Sequence, residues 1–157
     1  MGVLEKITSN QELRAWHGEI PLENLYTVGL AGERFFRGIK EEAKLFGTKC
    51  NTCNVTYLPP RIYCQGCFEK LDSWVELPSE GRLETFTVLH RDRKGRPYKT
   101  PRLLGLVRVD RSGGALIHYI QKIEPLKVHI GMKLKVQFRS PSERKGSIHD
   151  IVGFVSA

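Results

Sequence analysis

The sequence predicts a mainly β chain, with helices ahead of a small metal-tied ribbon and a five-stranded barrel behind it, and three observations carry that expectation. All four cysteines fall between Cys50 and Cys67, in CNTCNVTYLPPRIYCQGC, as two C-x-x-C pairs separated by ten residues. From Trp74 onward the apolar residues alternate with a period of two, the mark of half-buried strands. Ahead of the cysteines they recur at three- and four-residue spacing, the mark of a helix. The expected organisation is an N-terminal helical arm over 1–47, a ribbon over 48–73 and a barrel over 74–157.

In the arm, Pro21 suits the first position of a helix running through PLENLYTVGLAGERFFRGIKEEAK. Leu22, Leu25 and Tyr26, then Phe35, Phe36 and Ile39, form its apolar stripes. Gly29 and Gly32 weaken its middle, which predicts a break or two helices. Lys44 and Gly47 mark its end.

Two C-x-x-C pairs at this spacing are a four-thiolate metal set, because each pair can wrap a tight turn round one ion. Pro59-Pro60 stiffens the arm between them. Zinc suits four thiolates and keeps no open position when it has them, so the metal is expected to be structural; iron in a rubredoxin-like site shares the same donor set. A redox C-x-x-C needs one pair in a βαβ context, which is absent. Asn54 and Phe68 follow the second cysteine of each pair where glycine is common. Asn tolerates positive φ, and Phe68 predicts a looser second turn.

The barrel strands are expected near 82–90, 102–110, 114–121, 132–139 and 147–155. MKLKVQFR is the clearest, with Leu134, Val136 and Phe138 on one face and Lys133, Lys135, Gln137 and Arg139 on the other. Turn chemistry separates them, as in RKGRP and DRSGG. Five strands with a longer segment between the third and fourth match a small Greek-key barrel of the OB type.

Composition does not point to disorder: 40% of residues are hydrophobic, enough for a core. No secretory leader is visible and no apolar run is long enough for a membrane span, so a soluble, cytoplasmic protein is expected. Charge is uneven. Residues 1–47 hold six Lys/Arg against seven Asp/Glu, whereas 48–157 hold 19 against 10, which favours an anionic partner for the second part.

No catalytic constellation is present: there is no G-x-S-x-G, H-E-x-x-H, P-loop or dinucleotide fingerprint, and the five histidines are scattered singly. The candidate binding segment is HRDRKGRPYKTPR, residues 90–102, with Arg91, Arg93, Lys94, Arg96, Lys99 and Arg102 against Asp92. Tyr98 offers an aromatic face for an adenine or a base. A phosphate-binding surface and a mobile, solvated loop are equally compatible with that pattern.

YTVGLAGERFFRGIKEEAKLFGTKC, CNVTYLPPRIYCQGC, WVELPSEGRLETFTVL, VHIGMKLKVQF and SIHDIVGF, in this order and spacing, resemble the domain of unknown function 35 family. The resemblance covers nearly all of the chain from Tyr26. It implies N-terminal helices, a rubredoxin-like zinc ribbon and a five-stranded OB-fold barrel, with metal on Cys50, Cys53, Cys64 and Cys67 and no catalytic residue. It further implies a hetero-oligomeric accessory protein associated with acyl-CoA, bound to a thiolase or thiolase-like enzyme. One archaeal branch is similar to a bridge holding acetoacetyl-CoA thiolase beside HMG-CoA synthase in the mevalonate pathway. Phe35 and Phe36 then become expected partner contacts, and the basic segment an expected site for CoA. A single-stranded nucleic-acid binder is the competing expectation, weakened by strand faces with few aromatics beyond Phe86 and Tyr119.

Overall fold

The computed structural model describes residues 27–157. The expected helix start at Pro21, with Leu22, Leu25 and Tyr26, lies outside the described residues. Helix α1 spans Gly29–Glu42 and passes through Gly32 without a break. Gly29, at φ +66°, stands at its beginning, where the chain turns into the helix. Ala31, Phe35 and Ile39 recur every fourth residue and are buried, a single apolar stripe. Gly38 shares that face because a Cβ there would lie 2.4 Å from the Phe46 ring. The helix stops before the expected Lys44 and Gly47. Ala43 takes the left-handed position after its last turn, and its N–H bonds to the Gly38 carbonyl.

Gly47 instead lies within a strand. β1 (Leu45–Cys50), β2 (Val55–Tyr57) and β3 (Ser73–Leu77) form an antiparallel sheet in the order β2-β1-β3. A Cβ at Gly47 would sit 2.6 Å from the Tyr57 carbonyl oxygen, so close pairing with β2 explains the glycine. Trp74 belongs to β3, which pairs with β1 from Leu45 opposite Leu77 to Lys49 opposite Ser73. Alternation identifies it as a strand but cannot say which sheet it joins.

The barrel comprises β4 (Glu80–Arg91), β5 (Pro97–Val109), β6 (Ala115–Ile120), β7 (Lys133–Phe138) and β8 (Ile151–Ser156). It closes in the order β4-β5-β6-β8-β7, with one parallel contact, Ile120 opposite Phe154. This is the expected five-stranded Greek-key ring. The last strand starts later than its alternation suggests, because Ser147 and Asp150 cap each other across a 3-10 turn, Ile148–Asp150. The Asp150 carboxylate is buried and accepts the backbone N–H groups of Lys145, Gly146 and Ser147. Burial pushes its pKa up, but these donors outweigh it and hold the carboxyl below its ordinary value.

One apolar core joins the three parts. Phe35 and Ile39 of the helix, Leu45, Leu58 and Leu77 of the ribbon, and Leu83, Val107, Leu134 and Phe154 of the barrel pack in a single cluster. Arg144 adds a polar strut from the barrel to the helix end, donating to the Ile39 and Lys40 carbonyls at 3.2 and 2.9 Å. Those carbonyls have no partner within the helix.

Ribbon and barrel also touch through backbone. Gly113 N–H donates to the Thr56 carbonyl at 2.8 Å. A Cβ on Gly114 would lie 1.8 Å from the Leu58 carbonyl oxygen, a clash that neither backbone can relieve cheaply. Gly114→Ala is therefore expected to lower stability by about 3 kcal/mol in denaturant unfolding. A change below about 0.5 kcal/mol would show that this junction is slack.

Candidate metal centre and basic barrel face

Cys50 closes β1, the chain leaves through β2, and the Pro59-Pro60 arm returns Cys64 and Cys67 to the first pair. The return is held by Cys64 N–H to the Glu69 carbonyl at 2.9 Å and Leu71 N–H to the Ile62 carbonyl at 2.7 Å. All four sulfurs lie within 4.8 Å of one another, with Cys50–Cys67 at 3.6 Å and Cys53–Cys64 at 3.7 Å. A tetrahedral ion with metal–sulfur bonds of about 2.3 Å requires sulfurs about 3.8 Å apart. The donor set fits, and all four thiols are free of disulfides.

Both turns use the left-handed region, Asn54 at φ 53° and Phe68 at φ 60°. The looser second turn expected from Phe68 is absent. Phe68 accepts a conformation that disfavours a side chain, by about 1–2 kcal/mol, and its ring is exposed.

The surroundings of the sulfurs are unequal. Cys64 accepts from the Tyr57 hydroxyl at 3.2 Å and from Gly66 N–H at 3.4 Å, while Cys50 accepts from Cys53 N–H at 3.3 Å. The Tyr57 hydroxyl, with the Cys67 and Gly66 backbone N–H groups, draws the Cys64 pKa down to about 6. Cys53 is pushed up to about 12 by the Cys67 and Cys64 sulfurs beside it, and by burial. One thiolate is welcome in this cluster, but four together need a cation.

The basic segment folds as a hairpin. β4 runs to Arg91 and β5 begins at Pro97, leaving a short turn. Asp92 organises it, its carboxylate accepting Lys94 N–H at 2.8 Å, Arg96 N–H at 2.9 Å and Arg96 Nε at 2.7 Å. The Arg96 backbone and guanidinium hold the Asp92 carboxyl below its ordinary value. Arg91 donates to the Gly95 carbonyl, so it and Arg96 serve the turn. Arg93, Lys94 and Lys99 are exposed and do not line the groove that follows.

Arg102 does line it. Its guanidinium carbon lies 4.5 Å from the centre of the Tyr98 ring and 5.8 Å from that of Tyr119. The groove, of about 740 Å³, runs between the first half of β5 and the segment after β6, past Thr100, Tyr119, Gln121 and Lys122. Tyr119, Gln121 and Lys122 were not among the sequence candidates for this site. The DRSGG hairpin carried the signal for Tyr119, since its register sets Leu104 opposite Tyr119. Phe35, expected at a partner contact, is 3% exposed and belongs to the core, because it lies on the buried stripe of α1. Phe36 is half-buried, its ring 5.4 Å from that of Phe35.

Residues 37–72 match the ChsH2 rubredoxin-like zinc ribbon domain, and 74–139 the ChsH2 C-terminal OB-fold domain. A solved protein of unknown function from the DUF35 family of Sulfolobus solfataricus is 32% identical, covering 69% of this chain and 78% of its own, with a TM-score of 0.59. The chain belongs to the DUF35 family. Relatives named DUF35 domain-containing scaffold protein are 24% identical in Pyrococcus furiosus and 25% in Methanothermobacter thermautotrophicus, over 70% of this chain. The match covers 79% and 83% of those relatives. The DUF35 subunit fold also appears in an Ltp2-ChsH2 aldolase structure, at a TM-score of 0.62 and 20% identity, covering 84% of this chain and 98% of that one. Among the described residues, no helix is long and apolar enough to cross a membrane.

Because each thiol must lose its proton to bind, metal affinity should fall with acidification, by at least about tenfold per pH unit below neutrality. Competition against a chromophoric chelator over a pH series measures this. An affinity that does not change with pH would contradict a thiolate site.

Proposed function

We propose that this DUF35 chain is a zinc-bearing, non-catalytic scaffold subunit that binds a thiolase-fold enzyme. In the more specific form, it holds acetoacetyl-CoA thiolase beside HMG-CoA synthase and helps pass the acyl-CoA intermediate in the mevalonate pathway. The observation that carries the reading is the match to relatives named scaffold proteins over about four-fifths of their length. The donor set supports a structural ion, since four thiolates complete a zinc tetrahedron without an open position for substrate. The Ltp2-ChsH2 aldolase supports an enzyme as partner, because there a subunit of this fold is part of an enzyme assembly.

Holding two enzymes together raises the effective concentration of the second for the product of the first, with no new catalytic group. The groove beside Arg102 supplies a place for CoA. An adenine can stack on Tyr119, which lines the groove, and Arg102 and Lys122 can meet phosphates. The same aromatic and cationic pair on β5 and β6 favours a second reading, a single-stranded nucleic-acid binder.

Affinity purification from native cells, with mass spectrometry of partners and metal analysis on one sample, tests the proposal. A thiolase-fold enzyme and about one zinc per chain are expected. Recovery of nucleic acid alone, released steeply by salt, would favour the second reading. In calorimetry with CoA, Arg102→Ala is expected to weaken binding about tenfold, a loss of about 1.4 kcal/mol. Equal binding would remove the groove from the account.

A further inference from the structure

The sulfur of Cys64 is singled out by a side chain. Of the four, it alone accepts a hydroxyl among the described residues, from Tyr57 at 3.2 Å. The Tyr57 oxygen itself accepts Gln65 N–H at 3.1 Å, which leaves its proton free for the sulfur. The ring is half-buried and packs on Cys50, Cys64 and Leu71, so the hydroxyl is held in place by apolar contact. The Arg61 guanidinium carbon lies 5.6 Å from the ring centre. A four-thiolate site with a divalent ion carries net negative charge, and hydrogen bonds to its sulfurs spread that charge.

β2 also faces the barrel. Thr56, next to Tyr57, receives the Gly113 N–H, and Leu58 lies in the core shared with the barrel. Neighbouring residues of one short segment therefore touch the metal centre and the barrel, one after the other.

We propose that Tyr57 is an outer-sphere residue of the metal centre: its hydroxyl, bonded to the Cys64 sulfur, sets how long the ion is retained and ties that retention to the seat of β2 on the barrel. The residue coordinates nothing. It stabilises the charge on a ligand that the tetrahedron needs. Loss of such an outer hydrogen bond commonly weakens a metal site about 10–100-fold. The inference stands whether or not the scaffold reading holds.

Tyr57→Phe keeps the ring and removes the hydrogen bond. With cobalt as the probe ion, the variant is expected to release metal to a chelator about tenfold faster than the wild type. Its sulfur-to-cobalt charge-transfer band should move to lower energy, because a thiolate without its donor gives up electron density more readily. A purely structural role for the ring would leave that band in place. Equal release rates with an unmoved band overturn the proposal. Should the variant fail to fold, NMR of the cadmium-loaded wild type decides: coupling between the metal and the Tyr57 hydroxyl proton supports the proposal, and a hydroxyl proton without coupling overturns it. Wild-type protein that takes up no cobalt would overturn the metal centre as a whole.

Discussion

The structure depends on the four residues Val55–Leu58, which belong to two environments at once. Tyr57 sends its hydroxyl to the metal cluster, Thr56 gives its carbonyl to Gly113, and Leu58 enters the common core. Thr56 meets the barrel through its main-chain carbonyl, which leaves the side chains of Tyr57 and Leu58 free to enter different surroundings. Gly113 and Gly114 make the approach possible by presenting bare backbone to it. The four thiolates fix one end of this segment and the barrel fixes the other.

A second tie comes from the segment between β7 and β8. Asp150 gathers three backbone N–H groups and shapes the turn from which Arg144 reaches the last carbonyls of α1. The helix is thus held by its buried stripe of Ala31, Phe35 and Ile39 and by a charged cap at its end. Helix, ribbon and barrel form one packed body, although their local patterns differ in period and composition. For the scaffold role proposed above, the consequence is fixed geometry between surfaces on different parts of the chain.

Most of the architecture is legible in the sequence, and the departures have physical causes. The cysteine spacing shows the metal cluster because ligands of one ion must converge. The alternation of MKLKVQFR shows a strand because one face is wet. Position by position the reading weakens where tertiary contact decides. Gly47 looks like a helix stop but answers to the Tyr57 carbonyl, and Trp74 looks like the first barrel residue but pairs in the ribbon sheet. Charge alone could not show that Arg91 and Arg96 are engaged by their own turn while Arg102 stands between two tyrosines. Nor does an aromatic pair announce which ring is buried; Phe35 and Phe36 divide according to the helix face that meets β1.

If metal held by the thiolates keeps the ribbon seated on the barrel through β2, hydrogen exchange of the metal-loaded and metal-stripped chain will show it. Stripping is expected to expose the amides of residues 45–77 and the Gly113 N–H, while Leu134 and Phe154 in the barrel core keep their protection. Faster exchange confined to the cysteine turns, with Gly113 still protected, would contradict the account.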